Sequence, residues 1–471
     1  MIKPMSNKLK TLKDKLNKTI WTDSIEKLKP HLTEQRGNIQ GKSSLLTLPK
    51  NTADVVKIVK ICNKNKVSIV PQGGRTGLCA GTIPNKSGKE ILLSTEKMNK
   101  VIEVNKDGFY MIAEAGCTLS LIKKKAIENN RFFPLSLPSE GSCTIGGNIS
   151  TNAGGAAVLK YGMTKELVEG IEVVLPNGEI FNSIKNIEKD NRGFDPKYLY
   201  IGSEGTLGII TKVKIRLFPE IKKKVMAIVA TNTINNLINF LNATKNECYE
   251  YFSAFEINTN IGLNLIKKFY NFIPIPFNNK YSWYAIIELC SYDNVNLEKK
   301  INNIITQSIK NKIIFDAIVP QNLKQYNNIW KTRELLSEAQ KLNGKSIKHD
   351  ISIPIDKIPL FLKKAKKSLT EFHKNDILTF GHLAEGNLHF NISKPKTMSE
   401  AVFNKLNKKV NSNIFNIVQD LGGSFSAEHG IGVIKKKEFK KYTSKEEFII
   451  KKNLKKLLDP KNIMNPGKIF N

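Results

Sequence analysis

The spacing of apolar residues changes repeatedly along the chain. In residues 52–65 (TADVVKIVKICNKN) it follows a helical period, which predicts an amphipathic helix. Short apolar runs such as VSIVP, EILLST, VIEVN and YMIAEAG predict strands, and a further helix is expected at residues 118–129. The run VEGIEVVLPNGEIF predicts a hairpin that turns at Asn177-Gly178. Helices interleaved with short strands indicate an α+β fold.

The same pattern divides the chain into regions. The first strand-rich region ends at Pro219, directly before a change to Lys-rich sequence. After it, amphipathic helices mix with strands, which predicts a separate domain that covers a substrate. No apolar run approaches the roughly 18 to 20 residues of a membrane helix. We divide the chain into a helical lead-in (1–37), a first domain (38–219), a substrate or cap domain (220–425) and a C-terminal segment (426–471).

Positive charge is the most conspicuous feature of the composition. The chain has 74 Lys and Arg against 42 Asp and Glu, for a net charge of +32. Clustered basic residues bind nucleic-acid phosphates. Here, however, nearly all the positive charge is Lys, dispersed beside Asn and Ile, whereas Arg is the residue favoured for base and bidentate phosphate contacts. We interpret the charge as a solvated surface that attracts anionic substrates or acidic partners, not nucleic acid.

The cysteines and the N-terminal residues bear on the compartment. The six cysteines are far apart and form no CxxC pair, which argues against a disulfide framework or a zinc ribbon. The first residues lack the apolar stretch of a secretory signal, and they lack the Arg typical of a mitochondrial presequence. We therefore expect a cytoplasmic protein.

Glycine is concentrated in clusters that can hold an anion. Glycine lets the backbone approach a ligand closely, so successive N–H groups can converge on a pyrophosphate. No cluster matches GxGxxG or GxxxxGK[ST], so neither a Rossmann fingerprint nor a P-loop explains them. Each cluster alone is typical of a tight turn. The clusters are Gly73-Gly74 with Gly77 and Gly81, Gly141 with Gly146-Gly147, Gly154-Gly155, and Gly202 with Gly205 and Gly208.

Taken together, PQGGRTGLCAG, PSEGSCTIGGNISTNAGG and IGSEGTLGIIT resemble the three FAD-contacting segments of vanillyl-alcohol-oxidase-type flavoproteins, in that superfamily's order. The resemblance implies a PCMH-type FAD-binding domain of two α+β subdomains, a mixed α/β cap domain and a C-terminal segment that returns to the FAD domain. No histidine lies in these segments, so we expect non-covalent FAD. The implied FAD contacts are Pro71, Gln72, Gly73, Gly74, Arg75, Thr76, Gly77, Ser139, Glu140, Gly141, Ser142, Cys143, Thr144, Gly147, Asn148, Asn152, Ala153, Gly154, Gly155, Glu204, Gly205, Leu207, Gly208, Ile209 and Ile210.

Three of the six histidines lie near the C-terminus in two short motifs. TFGHLAEGNLHFNI predicts a hairpin in which His382 lies opposite His389, with Asn391 on the face of His389 as a candidate substrate-binding residue. Both imidazoles could then bind one cation. Glu428 in FSAEHGIG is the best third ligand, which leaves His429 for proton transfer. Two imidazoles and a carboxylate suit zinc, manganese or another divalent ion. The alternative is a hydrogen-bonded histidine hairpin beside an unrelated Glu-His pair.

GHLAEGNLHFNI followed by AEHGIG resembles the metal-site signature of the D-2-hydroxy-acid dehydrogenases, which include enzymes for D-2-hydroxyglutarate, D-lactate and glycolate. Arg suits bidentate capture of a carboxylate, and Arg333 is the one arginine of the cap region. With Ser337, one turn further along the predicted helix, and Lys348, it resembles the substrate-binding set of D-2-hydroxyglutarate dehydrogenases. The position of Ser337 is usually threonine in those enzymes.

The resemblance implies a function. We expect FAD-dependent oxidation of a D-2-hydroxy acid, D-2-hydroxyglutarate first, with D-lactate or glycolate as the alternative. Arg333 and Lys348 would bind carboxylates, the metal would bind the hydroxyl oxygen, and His429 would act as general base. The implied electron acceptor is an electron-transfer flavoprotein or a quinone-linked protein, and a homodimer stays open. A rival of another class is an inactive flavoprotein fold that serves as a basic binding protein.

Overall fold

The computed structural model describes residues 7–187 and 189–470, and it forms two compact units. The first contains residues 7–155, Gly162–Glu220 and 428–470, and the second contains Ala156–Tyr161 and Ile221–Ala427. The lead-in thus groups with the first unit, whereas the sequence-based division set it apart. The short segment Ala156–Tyr161 groups with the second unit, which no change of composition had indicated.

The first unit contains two main sheets. In the smaller one, with order β1-β2-β4-β3, the strands β2, β4 and β3 are parallel. The larger one is antiparallel with order β5-β6-β10-β8-β9. In chain order, the strands are β1 (Trp21–Thr22), β2 (Leu46–Thr47), β3 (Ile69–Gln72), β4 (Ile91–Ser94), β5 (Val101–Asn105), β6 (Tyr110–Glu114), β7 (Arg131–Phe132), β8 (Val168–Val174), β9 (Ile180–Asn182), β10 (Ile209–Arg216) and β11 (Phe218–Pro219).

Helices of the first unit pack on these sheets. They are α1 (Asn7–Lys15), α2 (Ile25–Leu28), α3 (Thr52–Asn65), α4 (Leu119–Ile127), α5 (Ile145–Ser150), α7 (Thr164–Leu167), α8 (Lys197–Tyr200), α16 (Lys436–Tyr442) and α17 (Lys445–Leu458). The predicted helix at residues 52–65 is confirmed as α3. Its N-cap Asn51 accepts a hydrogen bond from the backbone of Asp54, and its apolar face is buried in the core. The predicted hairpin is confirmed as β8 and β9, with Gly178 at φ +83° in the turn.

The second unit is one seven-stranded antiparallel sheet with helices on both faces. The strand order is β15-β12-β14-β13-β17-β18-β16. The strands are β12 (Lys223–Thr231), β13 (Phe252–Thr259), β14 (Trp283–Ser291), β15 (Asp316–Ile318), β16 (Ser346–Ser352), β17 (Ile377–His382) and β18 (Asn387–Ser393). The helices are α6 (Val158–Tyr161), α9 (Ile234–Cys248), α10 (Asn260–Phe269), α11 (Leu297–Lys310), α12 (Leu323–Glu334), α13 (Leu336–Leu342), α14 (Ile358–Ser368) and α15 (Glu400–Asp420).

Alternation along the strands decides which residues share a face of this sheet. On one face, α10 and α13 pack against Leu378 and Phe380 of β17. On the other, Phe361 of α14 packs edge-on against Phe390 of β18 at a ring-centroid distance of 5.3 Å. The first face also carries the polar residues of the candidate site. No helix among the described residues is both long enough and apolar enough to cross a lipid bilayer.

Candidate active site

Glycine-rich segments of the first unit meet at the end of β3. A Cβ atom on Gly74 would lie 1.9 Å from the carbonyl oxygen of Ser142, so the loop after β3 and the loop before α5 touch through their backbones. Gly205 has φ +71°, and a Cβ there would lie 2.5 Å from the Pro71 ring. These positions admit only glycine. Three segments that are distant in sequence therefore converge, as the FAD interpretation requires.

The meeting point contains the buried hydroxyl group of Thr144. Thr144 is 5% exposed, and its Oγ1 has no hydrogen-bond partner among the described residues. It lies against Gly73, where a Cβ atom would be 2.3 Å from that oxygen. A buried polar group in this state is costly unless a ligand or water binds it. The cradle and the orphaned hydroxyl fit FAD.

Other predicted FAD contacts form hydrogen bonds or core contacts within the protein. Gly147 and Asn148 lie on α5, and the Asn148 amide donates to Sγ of Cys143 at 3.7 Å. Asn152 accepts a hydrogen bond from the backbone N–H of Lys165 at 2.9 Å. Ile209 is 2% exposed and its side chain packs in the core, so only its backbone could contact a cofactor. Whether these residues contact FAD stays a prediction.

Glu204 has a role that the sequence did not indicate. Its carboxylate accepts hydrogen bonds from the backbone N–H groups of Ile431 and Gly432, both at 2.7 Å. Burial raises the pKa of Glu204, although these two bonds oppose the shift. Its side chain therefore holds the AEHGIG loop. Cys79 supports the same loop, because its carbonyl oxygen accepts from the N–H of Val433 at 2.9 Å.

One histidine lies beside the predicted FAD segments although it is distant in sequence. His31 is buried, and its Nδ1 lies 2.6 Å from Oε1 of Gln72. Burial lowers the pKa of His31, which favours the neutral ring. The Gln72 amide also donates to the carbonyl oxygen of His31 at 3.0 Å. Sequence inspection of the glycine segments could not find this neighbour.

The predicted register of the histidine hairpin is wrong. His389 lies opposite Phe380, and His382 lies opposite Glu256 on the neighbouring strand β13. The predicted pairing of His382 with His389 requires a symmetric two-residue turn at Glu385-Gly386. The chain instead forms a 3₁₀ turn over Leu383–Glu385, closed by Gly386 at φ +72°, and this turn shifts the pairing by two residues.

The two imidazoles nevertheless come together. His382 and Phe380 are two residues apart on one strand, so they share a face with His389, and the imidazole centroids are 6.1 Å apart. His382, His389 and Glu428 each offer a ligand atom, and these atoms all lie within 4.8 Å of one another. Asp350, His389 and His429 form a second such group. This donor set of imidazole nitrogen and carboxylate oxygen fits a divalent metal.

Asp350 is a residue that the motifs did not suggest. It lies opposite His389 in the ladder of β16 and β18, and it is 3% exposed. The N–H of Ala427 donates to its carbonyl oxygen at 3.3 Å, directly before Glu428 in the chain. In sequence, Asp350 lies in the run SIKHDISIP, where only Lys348 was predicted to be a site residue.

Glu256 is the second residue missed by sequence reasoning. It is 2% exposed, and its carboxylate binds both Nδ1 of His382 and Nε of Arg333, the latter at 2.6 Å. Burial alone would raise the pKa of Glu256, but the charges and hydrogen bonds of His382 and Arg333 outweigh it and lower the pKa. No local motif marks Glu256, because its partners lie 126 and 77 residues away.

The predicted substrate residues are placed differently from one another. Lys348 lies opposite Asn391 on the ladder of β16 and β18. The amide of Asn391 donates to Gln340 at 2.9 Å, and its oxygen accepts from the N–H of His349 at 3.2 Å, so protein groups already bind it. The helix expected to join Arg333 and Ser337 is interrupted, since α12 ends at Glu334 and α13 begins at Leu336. Ser337 is exposed, and its substrate role stays a prediction.

Comparisons with known proteins agree with the geometry. Residues 43–183 match the model of an FAD binding domain, and residues 221–469 match that of the C-terminal domain of FAD linked oxidases. The chain is 33% identical over 446 residues to a mitochondrial D-2-hydroxyglutarate dehydrogenase of Arabidopsis thaliana, which covers 94% of this chain and 78% of the relative. It is 32% identical over 432 residues to a D-2-hydroxyglutarate dehydrogenase of Stutzerimonas stutzeri, with 91% of both chains covered.

Solved structures show the same fold. p-Cresol methylhydroxylase with bound substrate superposes with a TM-score of 0.78 at 15% identity, covering 99% of this chain and 97% of that chain. Alkyldihydroxyacetonephosphate synthase has a TM-score of 0.74 at 17% identity, covering 98% and 85%. The expected PCMH-type fold is thereby confirmed. The chain belongs to the family of FAD-linked oxidases and is an FAD-dependent oxidoreductase.

Proposed function

We propose that this enzyme oxidises D-2-hydroxyglutarate to 2-oxoglutarate beside a divalent metal. The observation that carries the proposal is the grouping of His382, His389 and Glu428, whose ligand atoms lie within 4.8 Å of one another. The relatives named as D-2-hydroxyglutarate dehydrogenases support the substrate, since they cover most of the chain.

The chain's own residues divide the work. Arg333 and Lys348 bind the substrate carboxylates, and Arg offers a planar fork of donors for this purpose. His429 removes the proton of the 2-hydroxyl group. When bound, FAD supplies the acceptor for two electrons and the Cα hydrogen, and the metal supplies Lewis-acid polarisation of the hydroxyl oxygen. Candidate ligand atoms of Asp350 and His429 lie within 4.8 Å of each other, so the Asp350 carboxylate can orient the His429 imidazole.

Anaerobic titration with D- and L-2-hydroxy acids tests the substrate. We expect D-2-hydroxyglutarate to bleach the oxidised flavin absorbance more efficiently than D-lactate or glycolate. A preference for D-lactate or glycolate would move the enzyme to the alternative substrate class. Reduction by an L-isomer alone would contradict the proposed stereochemistry.

His429→Asn tests the general base. The variant is expected to keep FAD and metal but to lose flavin bleaching by substrate. Unchanged bleaching would contradict the role of His429. Loss of metal in this variant would instead make His429 a ligand, through its group with Asp350 and His389.

We also propose further properties of the enzyme. FAD is bound non-covalently, so acid precipitation should release the flavin into the supernatant. The metal is zinc or manganese, which elemental analysis of purified protein distinguishes. The electron acceptor is an electron-transfer flavoprotein or a quinone-linked protein, so reoxidation of the reduced flavin by oxygen should be slow. The cytoplasmic location stays a prediction from the N-terminal sequence and the cysteines.

A further inference from the structure

A single buried carboxylate connects two parts of the proposed site. Glu256 lies on β13, in the middle of the seven-stranded sheet, and is 2% exposed. Its Oε1 contacts Nδ1 of His382 on β17, and its Oε2 accepts from Nε of Arg333 on α12. One oxygen therefore faces a candidate metal ligand, and the other faces the candidate substrate-binding arginine.

The contact with His382 decides which ring nitrogen can bind a metal. Because the carboxylate accepts the proton on Nδ1, the lone pair of the neutral ring lies on Nε2. Glu256 and His382 are directly opposite each other in the strand ladder, so the backbone holds them in this relation. Carboxylates bound to a ligating histidine in this way orient the ring and increase its basicity.

The contact with Arg333 orients the guanidinium group. The bond of 2.6 Å uses Nε and leaves the two terminal nitrogens, which form the fork that binds a carboxylate. The guanidinium carbon of Arg333 lies over the Phe380 ring, 5.0 Å from the ring centroid. Glu256 and Phe380 together hold the plane of the fork, while the charge of Arg333 is compensated inside the protein.

We propose that Glu256 is a positioning residue that couples metal binding by His382 to substrate capture by Arg333. The proposal rests on the proposed function for the meaning of both partners. A buried ion pair with no further role is the plain alternative. The two readings differ because coupling predicts changes in metal affinity and in KM, whereas a structural ion pair predicts a change in stability alone.

Glu256→Gln is the sharpest perturbation. Glutamine has the same shape, but only one of its two terminal atoms accepts hydrogen bonds, so it cannot bind both His382 and Arg333 as acceptor. Zn²⁺ is titrated into chelator-treated, FAD-bound protein, and KM and kcat are measured for D-2-hydroxyglutarate. We expect a 10- to 100-fold weaker Zn²⁺ affinity, as for other partners of metal-binding histidines, and a raised KM with unchanged FAD content.

Glu288→Gln is the matched control. Glu288 is a second buried carboxylate of the same unit, on β14, and it accepts hydrogen bonds from Ser253 at 3.0 Å and Trp330 at 3.3 Å. The control removes the same buried charge from partners that do not include His382 or Arg333. Its Zn²⁺ affinity and KM should match those of the unaltered enzyme.

Several results would overturn the coupling. One is a Glu256→Gln variant with unaltered Zn²⁺ affinity and KM, and another is an equal loss in the Glu288→Gln control. Should Glu256→Gln fail to fold, Glu256→Asp keeps the charge but is too short to reach both partners. A folded aspartate variant with unaltered Zn²⁺ affinity and KM would equally refute the proposal. Zn²⁺ titration needs no substrate, so a failure of D-2-hydroxyglutarate to bleach the flavin would affect the proposed function alone.

Discussion

Glu204 offers a direct test of how the loop that carries Glu428 and His429 is held. Its two carboxylate oxygens each accept one backbone N–H, from Ile431 and Gly432. In Glu204→Gln only one acceptor remains, so one of these buried N–H groups loses its partner. A hydrogen bond to a charged group contributes about 1.5 to 3 kcal/mol. Since removing the buried charge also removes a desolvation cost, we expect the free energy of unfolding to fall by about 1.5 to 2 kcal/mol.

The loss of turnover should distinguish this variant from one that is merely less stable. Glu204 is 227 residues from Ile431 in the sequence. It nevertheless holds the backbone two and three residues after His429. We expect kcat to decrease at least about tenfold, which corresponds to about 1.4 kcal/mol of transition-state stabilisation. Urea unfolding followed by circular dichroism gives the stability, and steady-state turnover of the FAD-saturated enzyme gives kcat.

Asp459→Asn provides the matched control. Asp459 is also buried, and it accepts backbone hydrogen bonds from Ile463 at 3.0 Å and Met464 at 2.8 Å. The control should lose at least as much stability, because it also loses an ion pair with Lys455, but it should keep its kcat once folded. If Glu204→Gln loses stability and retains full kcat, Glu204 does not set the position of the AEHGIG loop.

Three further substitutions test individual residues. Thr144→Val removes a buried hydroxyl that has no hydrogen-bond partner in the described part of the chain. The apoprotein should therefore keep its stability within about 1 kcal/mol, while FAD binds about tenfold more weakly in a fluorescence titration. Glu172→Gln should lower the free energy of unfolding by about 1 to 3 kcal/mol at pH 7. Burial raises the pKa of Glu172, but the hydrogen bonds from Thr52, Thr211 and Lys212 outweigh burial and lower the pKa overall. Asn258→Leu should stabilise the protein by about 1 kcal/mol in urea unfolding, because both amide atoms are buried and have no partner among the described residues.

The pH dependence of Glu172→Gln has a definite sign. A lowered pKa stabilises the fold above the ordinary value of 4.5, and this stabilisation is lost as the pH falls through the folded-state pKa. The difference in the free energy of unfolding between variant and unaltered protein should therefore shrink below pH 4.5. A difference that stays constant with pH would contradict the assigned role of Glu172.

The other two substitutions can also be contradicted. Unweakened FAD binding in Thr144→Val would contradict a contact between the Thr144 hydroxyl and FAD. Destabilisation by Asn258→Leu would contradict the assignment of this amide as unsatisfied; its cavity has room for about one water molecule.

The sequence by itself determined the local elements and the motifs. The helix α3 and the hairpin of β8 and β9 follow from apolar period, a cap residue and a turn glycine, all of which act within a few residues. The glycine-rich segments and the His and Glu motifs also pointed to the family through their resemblance to its known segments, and the family matches confirm it.

Tertiary structure decided what depends on partners distant in the chain. The register of β17 against β18 follows from the 3₁₀ turn at Leu383–Glu385, a conformation that the hydrophobic pattern does not specify. Glu256 meets His382 only because β13 lies beside β17 in the sheet, and Glu204 meets the loop at residues 431–432 only through the fold of the first unit. A buried carboxylate takes its role from the donors that surround it, and those donors are brought together by strand order and not by sequence spacing.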